Sequence, residues 1–173
     1  MRLGGNIYRP WTTTDEWARA IRAEGYRAAY CPLKPGADAT SVRAFARAAA
    51  DADVVIAEVG AWSNPLSPDP AVRRAAVATC KQSLALADAI GARCCVNIAG
   101  SRGTKWDGPH PADLTNETFD MIVNVVRDII DEVQPTRTFY TIEPMPWMYP
   151  DSPDSYLRLL QAIDRPRCAV HLD

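Results

Sequence analysis

The sequence predicts an α/β protein of the (β/α) barrel type, and three observations carry that reading. Short apolar, β-branched runs alternate with longer helical stretches along the chain, the pattern of right-handed βαβ units around a parallel sheet. Most of the strand candidates are apolar throughout, as strands buried on both faces require. From Leu3 to Cys168 the strand starts lie 165 residues apart over five steps, or 33 per step. Eight such steps need about 264 residues, near the ~250 of a complete barrel. A length of 173 residues by itself suits an open doubly wound sheet. The spacing, and a final strand with no covering helix after it, decide for a barrel truncated after about six parallel strands, with residues 1–173 as one incomplete domain.

Strands are expected at 3–8, 28–32, 54–59, 94–98, 138–142 and 168–172. Thr13 and Glu16 form a capping-box pattern ahead of Trp17 and Ile21, and Gly25 stands where a helix-terminating glycine belongs. A second helix, 41–50, is alanine-rich and weakly amphipathic. Asp69 followed by Pro70 caps a third helix that stops at Gly91. A fourth helix covers 117–133 and ends before Pro135. Ser152 and Pro153 open a fifth, which carries Tyr156, Leu157, Leu159 and Leu160 toward Ile163.

Composition removes several function classes. Nineteen Lys and Arg against twenty-one Asp and Glu leave a formal charge of −2, so no nucleic-acid partner is expected. No apolar run approaches the roughly 20 residues of a membrane span, and the N-terminus lacks a signal-peptide core. Five cysteines, an odd number without CxxC spacing, read as reduced thiols in a cytoplasmic protein.

In either architecture chemistry sits at the C-terminal ends of the strands. Those ends carry Asn6 and Tyr8, Lys34, Glu58, Asn97, Glu143, and then His171 and Asp173. A carboxylate in an apolar core is costly unless paired, hydrogen-bonded or bound to metal. Glu143 and Asp173 on neighbouring strands would repel unless a cation lies between them, which suggests hard oxygen ligands for Mn²⁺, Mg²⁺ or Co²⁺. The alternative is that each caps a helix or pairs with its own arginine. Glu58 reads as an ion-pair partner or a residue of the site. His171 reads as a core histidine bonded to a backbone carbonyl. Four of the five tryptophans, Trp11, Trp62, Trp106 and Trp147, follow strands on one rim. Their indole faces suit the apolar face of a sugar ring, or they wall the mouth. The run Gly100-Ser101-Arg102-Gly103 resembles an anion-binding turn, while no GxGxxG or GxxxxGK[ST] occurs. His110, between two prolines, is a substrate contact, an acid/base or a solvated loop histidine.

The segment Thr141-Ile142-Glu143-Pro144, followed about thirty residues later by Val170-His171-Leu172-Asp173, resembles the xylose-isomerase-like barrel superfamily, especially its sugar phosphate isomerase/epimerase group. Gly4-Gly5-Asn6-Ile7-Tyr8, Glu58-Val59-Gly60-Ala61-Trp62 and Glu143-Pro144-Met145-Pro146-Trp147 are similar to members of that group. The resemblance implies one divalent ion, Mn²⁺ first, held by a Glu, an Asp, a His and a second Glu. The first two match Glu143 and Asp173; the later His and Glu have no counterpart in the chain. Glu143 would then be both ligand and acid/base, one of two glutamates that move protons on opposite faces of an enediolate. The substrate expected is a sugar or sugar derivative, with Asn6, Glu58, Trp62, His110 and Trp147 as contacts. With half the ligands, the 173-residue piece is expected to be inactive alone, its activity belonging to a longer or complementing chain; a homo-oligomer stays open. Rival readings are a keto-sugar dehydratase or C-glycoside deglycosidase of the same superfamily, and a non-catalytic binding subunit.

Overall fold

The computed structural model describes residues 1–172. Asp173 lies outside the described residues. Among these, β1 (Gly4–Gly5), α1 (Thr14–Ala23), β2 (Ala28–Tyr30), α2 (Ala39–Asp51), β3 (Val55–Gly60), α3 (Pro70–Ile90), β4 (Cys94–Ile98), α4 (Asn116–Val133), β5 (Phe139–Glu143), α5 (Pro153–Ile163) and β6 (Cys168–Val170) alternate strictly. The six strands are parallel and adjacent in chain order, β1 to β6. A doubly wound sheet reverses its winding at a switch point, and this sheet has no reversal. Right-handed crossovers that all step the same way put every helix on one face, and each helix packs against the next, α1 on α2 through α4 on α5. That is the wall of a barrel.

The local signals explain the helices. Thr13 and Glu16 close the capping box, Asp69 accepts from the amides of Ala71 and Val72, and Gly91 ends α3 in the left-handed conformation at φ 80°. The alanine-rich α2 starts two residues ahead of its expected position, because Asp38 caps it by accepting from the amides of Thr40 and Ser41 at 2.9 Å. Strand β1 is far shorter than its apolar run suggests, and Leu3 and Tyr8 are exposed. Gly4 fits there because a Cβ would stand 2.5 Å from the Ala28 carbonyl oxygen.

The helix-covered face carries the core. Ala29, Ile56, Val59, Cys95, Tyr140 and Ile142 meet Leu84, Ala87, Phe119, Ile122, Ile129 and Leu159 there. Ile56 and Val59 are three apart, and a regular strand would send them to opposite faces. They share the core because β2 and β3 slip register: Ala29 pairs with Ile56, but Tyr30 pairs with Glu58. The extra residue is Ala57. Such a bulge re-aims the side chain after it, and here it turns Glu58 away from the helices. On the other strands alternation alone assigns the same uncovered face to Cys94, Val96 and Ile98, to Thr141 and Glu143, and to Ala169 and His171. No described helix is long and apolar enough to cross a membrane.

Asp88, in the last turn of α3, fixes the entry into β5. Its carboxylate accepts from the amides of Thr136 (2.8 Å), Arg137 (2.6 Å) and Thr138 (3.1 Å). Partial burial pushes its pKa up, but those amides outweigh burial and hold it below the ordinary 3.8. A depressed native pKa contributes stability above the unfolded value that is lost as pH falls through the native one. Asp88→Asn is therefore expected to cost about 1–3 kcal/mol at pH 7. It should also flatten the loss of stability below about pH 4, as measured by urea unfolding across pH; an unchanged acid limb would contradict the assignment.

Candidate active site

Three loops meet above the C-terminal ends of β3, β4 and β5. Asn97, at the end of β4, is fully buried; its amide donates to the Ser63 carbonyl (3.2 Å) and the Cys80 sulfur (3.3 Å), and its oxygen accepts from the Ser63 amide. It ties the loop after β3 to the sheet and does not face the site. Asn64 continues the tie, donating to the Ser101 carbonyl (2.9 Å) and accepting from the amides of Leu66 (3.2 Å) and Ser101 (3.0 Å). Gly100 takes a φ of 99°, and a Cβ there would stand 2.6 Å from the Asn64 oxygen, so a side chain is excluded on both counts.

The turn at Gly100–Gly103 does hold an anion, and the anion is internal. The buried Asp113 carboxylate accepts from the Ser101 hydroxyl and the Arg102 amide, both at 2.7 Å. Those donors are consumed by the protein's own aspartate, which explains why this turn is a brace. The Asn64–Ser101–Asp113 network was invisible to spacing arguments, since its members are 37 and 12 residues apart. Their signal is only that Asn64 precedes a proline and Ser101 follows a glycine, while Asp113 has no such neighbour.

Two groups of expected site residues are brought together. Asn6, Glu58 and Trp62 line one cleft of about 400 Å³ with Tyr30 and Lys34. Trp62 is 48% exposed, so its indole is free to meet a ligand. On the other side, Trp147 Nε1 donates to the Asp107 carbonyl (3.0 Å) and the Tyr149 hydroxyl to the Leu114 carbonyl (3.1 Å), stitching the loops after β4 and β5 together. His110 lies in the first of these loops, exposed, with Nδ1 accepting from the Ala112 amide at 3.2 Å. Trp11 departs from the rim arrangement: it packs edge-on against Phe45, ring centroids 5.7 Å apart, because the short β1 lets the following chain fold over α2.

Glu143 ends β5 partly buried on the uncovered face, close enough to contribute to raising the Tyr156 hydroxyl's pKa, which burial above all pushes up to about 12. The Tyr156 hydroxyl lies 3.4 Å from the backbone of His171. Among the described residues the His171 ring bonds no backbone carbonyl. Its Nε2 faces the Glu58 carboxylate at 3.9 Å, both side chains less than one-fifth exposed. The Cys94 sulfur completes a group with them; its thiol donates to the Ala57 carbonyl (3.7 Å), and burial raises its pKa, helped by the negative charge of Glu58. Asp173, the expected second oxygen ligand, lies outside the described residues.

Asp113→Ala would strand the Ser101 and Arg102 donors and is expected to cost about 1.5–3 kcal/mol, read as a fall in unfolding midpoint. Lys34→Ala, in the open cleft, should leave the midpoint unchanged. Equal losses would contradict the division between brace and cleft.

The sequence profile of the xylose isomerase-like TIM barrel family matches residues 16–173. No curated protein matches the chain in sequence. Among solved structures, L-ribulose 3-epimerase superposes with a TM-score of 0.73 at 17% identity, over 99% of this chain and 60% of the epimerase. The probable 3-DHS dehydratase AsbF of Bacillus anthracis gives 0.68 at 19% identity, over 96% and 59%. A xylose isomerase-like TIM barrel protein of Mycobacterium smegmatis, in complex with magnesium, gives 0.62 at 16%, over 96% and 58%. The chain thus spans about 60% of the length of the structures it resembles. An unreversed parallel sheet, helices on one face and polar residues at the strand ends agree with the profile: the chain belongs to the xylose isomerase-like TIM barrel family.

Proposed function

We propose that the protein is a divalent-metal-dependent isomerase or epimerase of a sugar or sugar phosphate. The observation that carries this reading is Glu143: a partly buried carboxylate at the C-terminal end of a barrel strand, on the face that no helix covers. It is a hard oxygen donor and fits Mn²⁺, Mg²⁺ or Co²⁺, with Mn²⁺ favoured and Asp173 as the second ligand. The ion, when bound, supplies polarisation of the substrate carbonyl and stabilisation of the charge that builds on its oxygen. Glu143 also moves the proton on one face of the carbon beside that carbonyl, and the second glutamate of the family pattern, which has no counterpart in this chain, moves it on the opposite face. The indole of Trp62 receives the apolar face of the sugar, while Asn6 and Glu58 meet its hydroxyls from the same cleft. His110 and Trp147, on the stitched loops, approach from the other side. The five cysteines are all free, in keeping with a cytoplasmic enzyme.

The fold shared with a dehydratase supports a second reading, in which the same proton abstraction is followed by loss of a leaving group. Product analysis separates the two: an epimer in one case, an unsaturated product in the other.

The test is to incubate the full-length natural protein with Mn²⁺ and a panel of ketoses and their phosphates in D₂O. The expected result is deuterium at the carbon next to the carbonyl together with the epimer. Glu143→Gln is expected to lower the rate about 10²–10⁴-fold and to weaken Mn²⁺ binding by calorimetry. Unchanged exchange in Glu143→Gln would remove the proposal.

A further inference from the structure

The carboxylates expected from the sequence to hold a metal are Glu143 and Asp173. The uncovered face holds a second and chemically different donor group, drawn from β3, β4 and the residue after β6. The ligand atoms of Glu58, Cys94 and His171 lie within 4.8 Å of one another. We propose that these three residues form a binding site for a borderline divalent cation, Zn²⁺ above all, with a donor set that does not include Glu143.

Geometry comes first. Tetrahedral zinc with sulfur at about 2.3 Å and nitrogen and oxygen at about 2.0–2.2 Å sets its ligand atoms roughly 3.3–3.6 Å apart. The His171 Nε2 to Glu58 oxygen distance of 3.9 Å is a few tenths from that value, and rotamer adjustment of Cys94 and Glu58 brings in the sulfur. Three protein donors leave the fourth position open, the arrangement of a catalytic rather than a closed structural zinc site.

Donor chemistry selects the ion. One thiolate, one imidazole and one carboxylate match Zn²⁺ or Co²⁺, whereas Mg²⁺ and Mn²⁺ prefer oxygen throughout. The two potential charges are largely withdrawn from water, with side-chain exposures of 15% for Glu58 and 19% for His171.

The backbone supplies an independent observation. Glu58 reaches this face only through the register slip at Ala57. Without it, Glu58 would share a face with Ile56, in the helix-side core. Bulges of this kind recur beside functional sites, where they re-aim a side chain. The same carbonyl that receives the Cys94 thiol belongs to the bulged residue, so the slip positions two of the three donors. Binding of the ion releases the thiol proton to solvent and replaces that hydrogen bond with a metal–sulfur bond.

The experiment uses Co²⁺ as a spectroscopic stand-in for Zn²⁺. Metal-free chain, kept reduced with a phosphine, is titrated with Co²⁺ and followed for a thiolate-to-cobalt charge-transfer band, then challenged with Zn²⁺. The expected result is a band saturating at one ion per chain and bleached by Zn²⁺. Cys94→Ser should abolish it, and Cys31→Ser and Glu143→Gln should retain it. His171→Ala should weaken Co²⁺ binding by more than about tenfold, since even partners one step removed from an ion cost 10–100-fold. Absence of the band in the unaltered chain would overturn the proposal whatever the variants do. So would a band that survives Cys94→Ser or that requires Glu143. Because the readout is a cobalt–sulfur transition, its failure leaves the Mn²⁺-dependent exchange of the proposed reaction untouched, and the reverse also holds.

Discussion

Five helices cover one face of the parallel sheet, and that constraint sorts every strand residue. A side chain on the covered face must be apolar or fully hydrogen-bonded, because desolvation without a partner is costly. Tyr140, Ile142, Cys95 and Val59 satisfy it by packing, and Asn97 by bonding to Ser63 and Cys80. Polar chemistry is thereby left to the other face, where Glu58, Cys94, Thr141, Glu143 and His171 gather. The candidate site is what remains after the core has taken its share.

Two irregularities refine this sorting. The register slip at Ala57 transfers Glu58 from the covered face to the open one, so one inserted residue changes the donor set available to a ligand. The left-handed Gly100 lets the Asn64 amide close on the loop after β4, and Asp113 locks that loop from beneath. Both devices use backbone conformation to place side chains, and neither adds apolar burial. The rim is consequently held by buried hydrogen bonds, while the sheet below is held by packing.

Much of the architecture was legible because it rests on local chemistry. Thr13, Asp69, Gly91, Ser152 and Pro153 mark helix ends by capping rules that need no tertiary information. The 33-residue spacing separated barrel from open sheet because crossover length is set by the geometry of one βαβ unit. The strand ends also gave Glu143 and His171 as residues of note. What stayed hidden depends on partners far away in sequence. A bulge exists only relative to the neighbouring strand, so nothing in Val55–Gly60 announces that Glu58 turns over. Trp11 read as part of the rim because proximity to a strand end was its only signal; Phe45, on α2, captures it. The Gly100–Gly103 turn had the right shape for an anion, and only the fold shows that Asp113 already fills it.

The central claim is the shared face of Glu58, Cys94 and His171, and solution NMR on the reduced chain addresses it most directly. Nuclear Overhauser contacts between the His171 ring protons and the β-protons of Cys94 are the result this account requires. Contacts from that ring to the methyl groups of Leu157 or Leu160 on α5 would place it on the helix side of β6, and the grouping would dissolve.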